Sequence, residues 1–282
     1  MNKMLDEIKK AVVFIGHDQT HGKRVIRQTD SFTGTGFLLN IDNFFYLCTA
    51  KHVITELRND YLLFPGGPRQ WAAIRTASGS YKKIYFDEIK KKYSVEWVVH
   101  KTKKYDVALL PIELDQKSQE FKLIPPKLFL NQEKQDKPDE LVRIFFCSFQ
   151  PNLEKVKSIN PIIRVGHVSR NNRDNTVLID AQAFPGNSGS PVFIAPELGR
   201  LGEGGVQLGD DIAYKFVGVV SSNVQYMDIA TSAQTNAGRI LFSENTGLSN
   251  VQTYKVIEEI IKSKPFKDQL SSLKRWIADN GA

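Results

Sequence analysis

Most of this chain is written in short runs of β-branched and aromatic residues, each cut off by a turn residue before a helix could complete its period. Ala11-Val12-Val13-Phe14-Ile15, Phe44-Phe45-Tyr46-Leu47-Cys48, Val107-Ala108-Leu109-Leu110, Val142-Arg143-Ile144-Phe145-Phe146 and Phe216-Val217-Gly218-Val219-Val220 are examples. Runs of this length and composition read as strands, and their succession without intervening helical periods predicts an all-β sandwich or barrel instead of βαβ units. The β-rich region runs from about Ala11 to Ser243, and a polar, Lys- and Pro-containing stretch from Leu114 to Pro138 divides it. The expected organisation is therefore a first β-barrel over 11–113, a linker over 114–138, a second β-barrel over 139–250 and a helical tail over 251–282.

The tail changes period. Tyr254, Ile257, Ile260 and Ile261 share one helical face, Pro265 interrupts, and Phe266, Leu270, Leu273 and Ile277 resume the spacing. Two amphipathic helices packed onto the barrels follow from that pattern. The glycine-rich stretch from Gly199 to Gly209 reads as a mobile loop or hairpin end.

Composition narrows the class. With 41% hydrophobic and 24% charged residues in 282, the chain has enough apolar side chain for a core and is not globally disordered. No run approaches the roughly 18 apolar residues that cross a bilayer. Asp6 and Glu7 stand where a secretion signal needs its apolar stretch, so a soluble, unexported, cytoplasmic chain without membrane contact is expected. Cys48 and Cys147 are too few for a disulfide framework or a cysteine-rich zinc site and are expected to be reduced thiols.

Three patches carry chemistry: Thr49-Ala50-Lys51-His52-Val53, Tyr105-Asp106-Val107-Ala108-Leu109-Leu110 and Phe184-Pro185-Gly186-Asn187-Ser188-Gly189-Ser190-Pro191. Singly each is ordinary: a histidine after a strand, an aspartate as turn acceptor, a Gly-Asn-Ser-Gly tight turn. Their order, His then Asp then Ser, matches one β-fold arrangement of an acyl-transfer triad.

On these residues the chain resembles the chymotrypsin-like serine peptidases, and within them the bacterial HtrA-like branch. The resemblance spans roughly Ala11 to Asn250. Gly34-Thr35-Gly36-Phe37 resembles the family's glycine-rich strand, and Val165-Gly166-His167-Val168-Ser169 and Val217-Gly218-Val219-Val220-Ser221 resemble the strands flanking its nucleophile. It implies two six-stranded Greek-key barrels with the site between them, His52 and Asp106 from the first and Ser188 from the second. Ser188 would be the nucleophile, His52 its base, and Asp106 the group that fixes the imidazole tautomer. The backbone N–H groups of Gly186 and Ser188 would form the oxyanion hole. Ser221 matches the family serine that supports the aspartate, and Gln182 the position at the base of the primary specificity pocket. Ser221-Ser222-Asn223 matches the strand that pairs with substrate backbone. An uncharged floor with Asn223 in place of glycine implies a small or medium uncharged residue before the cut.

The sequence departs from the family pattern in places. Asn187 replaces the acidic residue that pairs with a freshly cut N-terminus in digestive relatives, so activation of that kind is not expected. Val53 stands where secreted relatives carry a cysteine, which removes the histidine-loop disulfide. Lys51, on a strand alternation, is expected to point away from His52. No peptide-docking PDZ domain is expected within the roughly thirty residues after the second barrel.

Competing readings are weaker. Lys82 to Lys104 holds eight lysines against three acids, much of a net charge of +7. The primary reading is a solvated barrel face; contact with nucleic acid or an acidic protein is the secondary one. Gly34-Thr35-Gly36 lacks the rest of a dinucleotide fingerprint, and His17 and His21 lack a third ligand, so no cofactor or metal is expected. His100 and His167 are assigned no chemistry. A different class remains open: a catalytically silent protease-like module that binds a peptide or partner. Between the two lies an enzyme controlled by a regulatory protein.

Overall fold

The computed structural model describes residues 3–18, 30–55, 69–130, 137–150, 160–195, 200–202, 205–207, 214–235 and 237–280. Helix α1 (Lys3–Lys10) leads into β1 (Val12–Asp18), β2 (Asp30–Ile41), β3 (Phe44–Thr49), the five-residue helix α2 (Lys51–Thr55), β4 (Gln70–Arg75), β5 (Tyr81–Tyr85), α3 (Phe86–Tyr93), β6 (Val98–Val99) and β7 (Ala108–Pro111). These strands form one antiparallel sheet of seven in the order β5-β4-β1-β2-β3-β7-β6. A second set consists of β8 (Arg143–Ser148), β9 (Ile162–Asn171), β10 (Thr176–Asp180), β11 (Pro191–Ile194), β14 (Lys215–Thr231) and β15 (Gly238–Thr253). It closes into a six-stranded barrel in the order β10-β15-β14-β11-β8-β9. Between β11 and β14, β12 (Arg200–Gly202) and β13 (Gly205–Gln207) pair as a small hairpin, the described part of the glycine-rich stretch. The rest of that stretch, and His21, lie outside the described residues.

Apolar runs, instead of a strict apolar–polar alternation, arise because the strands are buried on both faces. On one face of the first sheet Val13, Ile15, Leu38, Leu47, Ala72 and Leu110 fill that lobe's own core. On the other, Phe14, Phe37, Tyr46, Cys48 and Trp71 join Phe145, Phe149, Phe193 and Phe216 in a core shared between the lobes. Phe14 meets Phe149 at 4.2 Å and Phe37 meets Phe216 at 5.4 Å between ring centroids. Aromatic side chains of this size bury on the order of 150–250 Å² each, so the two lobes are held as one body and the cleft between them has fixed walls.

The segment expected as a linker is stitched to both lobes. Ile124 N–H donates to Leu38 O at 2.9 Å, and Leu130 N–H to Phe216 O at 3.0 Å. Helices α4 (Tyr254–Lys262) and α5 (Lys264–Asn280) follow β15 directly. Helix begins at Tyr254, three residues later than the expected start at 251, because Val251, Gln252 and Thr253 still pair in the barrel. Tyr254, Ile257, Ile260 and Phe266 are buried in the shared core, with Phe266 against Tyr46 at 5.1 Å. Pro265 sits in the first turn of α5, where its missing N–H costs nothing.

In the lysine-rich segment, Lys83, Lys92 and Lys104 pair with Asp18, Glu113 and Asp174 at 2.8, 2.6 and 3.2 Å, and Lys90 pairs with Glu96. Its aromatics pack inward or against the tail, Trp97 on Phe86 and Tyr93 on Trp276. No helix among the described residues is long and apolar enough to cross a membrane.

Candidate active site

The fold carries the histidine on a turn of helix. β3 ends at Thr49, and α2 starts at Lys51 with its N–H on Asp106 O at 3.3 Å. Lys51 is thus on a helix and not on a strand; its Nζ donates to Lys103 O at 3.3 Å and braces the segment that leads to Asp106. Asp106, just before β7, accepts twice from one residue. Its Oδ1 takes the His52 backbone N–H at 2.9 Å, and its Oδ2 lies 2.6 Å from His52 Nδ1. With both of its oxygens on His52, Asp106 ties the imidazole through Nδ1 to the segment ahead of β7.

Ser188 arrives from the other lobe on a turn whose form depends on two left-handed glycines. Gly186 has φ +95° and Gly189 φ +88°, a region an L side chain enters at a cost. Asn187, fully buried, secures the turn: its Oδ1 accepts Phe184 N–H at 2.9 Å and its Nδ2 donates to Phe149 O at 2.8 Å. A carboxylate here would lack the donor, so this neutral residue braces the turn from within. Among the described residues no acceptor takes the N–H of Gly186 or of Ser188.

Thr35 locks the turn to the first lobe with every polar group it has. Its N–H donates to Ser188 O at 2.9 Å, its hydroxyl donates to Gly186 O at 2.7 Å and accepts Phe149 N–H at 3.2 Å, and its carbonyl accepts the Thr49 hydroxyl at 2.7 Å. All of this is buried. The histidine strand, the nucleophile turn and the second barrel therefore meet at one residue.

His52, Asp106, Gly186 and Ser188 line a single cavity of 620 Å³, together with Ser221, Ser222 and Asn223. The Ser188 hydroxyl donates to Ser221 O at 3.4 Å. Gln182 is exposed and is not among the lining residues; the wall is made instead by Ala183, Phe184, Gln225, Ser243 and Asn245. Asn245 donates to Ala183 O at 2.7 Å, and Arg164 stacks behind Phe184 at 5.0 Å. The support expected of Ser221 for Asp106 is also absent: its hydroxyl donates to Asn250 O at 3.2 Å, because β14 bulges there between Val220 and Ser222. Cys48 and Cys147 are free and buried, and burial pushes the Cys147 thiol up to about 12, which removes both as nucleophiles.

The sequence matches the trypsin-like peptidase domain over residues 34–201. The chain belongs to the trypsin-like peptidase family. It is a serine protease, a hydrolase whose substrates are proteins or peptides. Among solved structures, the serine endoprotease from Yersinia pestis aligns with a TM-score of 0.52 at 15% identity, over 95% of this chain and 66% of that one. The likeness is one of fold, and this trypsin-like chain spans about two thirds of that protein's length. The crystal structure of Deg5 aligns with a TM-score of 0.46 at 18% identity, over 75% of this chain and 85% of that one. No curated protein matches the sequence.

Proposed function

We propose that this trypsin-like protease is an endopeptidase working through Ser188, His52 and Asp106, with the amides of Gly186 and Ser188 as its oxyanion hole. The observation that carries the reading is one cavity wall holding an imidazole fixed by a carboxylate at 2.6 Å, a serine, and two amides with no acceptor among the described residues. At 3.4 Å the bond from Ser188 to Ser221 O is loose for a hydroxyl donor, so rotation about χ1 redirects the hydroxyl at little cost. His52 Nε2 takes the proton as Oγ bonds to the scissile carbonyl carbon, and the new oxyanion settles on the two N–H groups. Histidine then gives that proton to the departing amine as the C–N bond breaks. Water, activated by the same base, releases the acyl group.

A fluorophosphonate is expected to label the wild-type chain on Ser188 and to leave Ser188→Ala unlabelled. A folded wild type that never labels would favour the silent module. Among the described residues the cavity wall beyond the triad is uncharged, which supports a small or medium uncharged residue before the cut, as Asn223 implies; a peptide-library profile dominated by Arg, Lys or Trp would overturn that preference.

Thr35 acts as a positioning residue in this reading. Thr35→Val leaves Gly186 O and Phe149 N–H buried without their partner, a cost of about 1–3 kcal/mol, and frees the turn to shift. A displacement near 1 Å costs about 10²-fold in rate, so labelling should slow by that order. Thr35→Ser, which keeps the hydroxyl, should restore most of it; equal rates in both variants would exclude the role.

A further inference from the structure

Strands β14 and β15 are far longer than the barrel needs. Pairing of β14 with β11 ends at Val219, and pairing of β15 with β10 ends at Leu248. Beyond those points the two strands continue as a ribbon paired only with each other among the described residues, out to Thr231 and Gly238. Cross-strand register places Tyr226, Phe242 and Ile240 on one face of this arm and Met227, Ile229 and Leu241 on the other. Each of the six is between 51 and 58% exposed.

Such an arm is incomplete as it stands. An isolated two-stranded ribbon is marginal in water, and an apolar belt on both faces adds an unfavourable exposed surface. With roughly half of each side chain uncovered, the belt presents on the order of 600 Å². About half of it lies on each face, so a two-fold contact through one face of each arm buries about 600 Å² of apolar side chain, which at the apolar share of about 60% found in interfaces corresponds to about 1,000 Å² in all, the threshold of a specific contact. The end of the ribbon, Thr231-Ser232-Ala233-Gln234-Thr235, is polar. An element that enters lipid by its tip would be apolar there, whereas an apolar middle with a polar end is the anatomy of a protein interface, core and rim. A single peptide strand added along an edge would leave both faces open.

We propose that the occupant is a second copy of this chain, the Met227, Ile229 and Leu241 face of one arm packing on the same face of its partner's about a two-fold axis. Because Gln225 and Ser243, at the root of the arm, line the cavity, the interface begins beside the candidate active site. The proposal does not depend on the catalytic reading.

Sedimentation velocity of the full chain from micromolar to nanomolar concentration tests it. The wild type is expected to sediment at twice the chain mass and to dissociate on dilution. Ile229→Asp with Leu241→Asp should weaken association by about 10²-fold or more. Ile229→Thr with Leu241→Thr, which keeps strand-favouring residues and so the ribbon itself, should weaken it in the same direction, with an unchanged thermal midpoint at dilution. A wild type that stays at single-chain mass throughout overturns the proposal, as does association indifferent to both variants. A single-chain wild type whose peptide cleavage falls in the threonine variant would assign the arm to substrate instead, and one whose binding to lipid vesicles falls would assign it to a membrane.

Discussion

Changing Asp106 to asparagine is expected to lower kcat for a peptide amide by about 10⁴-fold while KM and the thermal midpoint stay near the wild-type values. The rate depends on which nitrogen of His52 carries the proton. In the proposed mechanism Asp106 Oδ2, 2.6 Å from Nδ1, can only accept, so it keeps the proton of the neutral ring on Nδ1 and the lone pair on Nε2. An asparagine fits the same space and can still accept the His52 backbone N–H that now goes to Oδ1 at 2.9 Å, so the loop stays in place. Its NH₂ toward Nδ1 reverses the tautomer, and Nε2 then holds a proton when it should accept one. The variant also lacks the negative charge that stabilises the imidazolium formed in the transition state. Asp106→Ala should lose similar rate and some stability as well, because both bonds to His52 go. A steady-state comparison of the two, with thermal melts, separates tautomer control from simple anchoring. A rise in KM with kcat unchanged would instead place Asp106 in substrate binding.

What the chain disclosed before folding was considered follows from how local each feature is. The strands from Val12 to Ile15 and from Phe216 to Val220 announce themselves because both their faces are buried, and His52, Asp106 and Ser188 announce themselves through their immediate neighbours. Helix α3 is hidden, since Asp87, Glu88 and three lysines dilute an apolar face reduced to Phe86 and Ile89. Gln182 lies six residues before Ser188, yet the wall of the cavity comes from Gln225, Ser243 and Asn245, some 37 to 57 positions after Ser188 and brought alongside by the β14–β15 pairing. Thr35 is the instructive omission. In the sequence it is the unremarked centre of Gly34-Thr35-Gly36; its four hydrogen bonds reach Thr49, Phe149, Gly186 and Ser188, none within ten residues of it. A hydroxyl flanked by two glycines is the nearest signal: glycines let other backbone approach, and a polar side chain between them then has partners within reach.

Gly189→Ala is expected to destabilise the chain by more than about 4 kcal/mol, in the range that marks a named structural conflict, and to abolish labelling of Ser188. Two separate costs combine. At φ +88° an alanine carries a backbone strain of about 1–2 kcal/mol. Its Cβ would also lie 1.9 Å from Thr35 O and 2.4 Å from Thr49 Oγ1, atoms that belong to the lock between the lobes and are themselves hydrogen-bonded. Relief requires moving β2 or the nucleophile turn, and either motion separates Thr35 from Gly186 and Ser188. Gly79 supplies the internal control: at φ +79° it has the same backbone demand, but a Cβ there meets nothing within 4 Å. Gly79→Ala should therefore cost only about 1–2 kcal/mol, with labelling intact. If chemical denaturation gave the two alanine variants equal losses, left-handed strain alone would account for both. The close packing of the Ser188 turn against the first lobe would then have no part in setting the site.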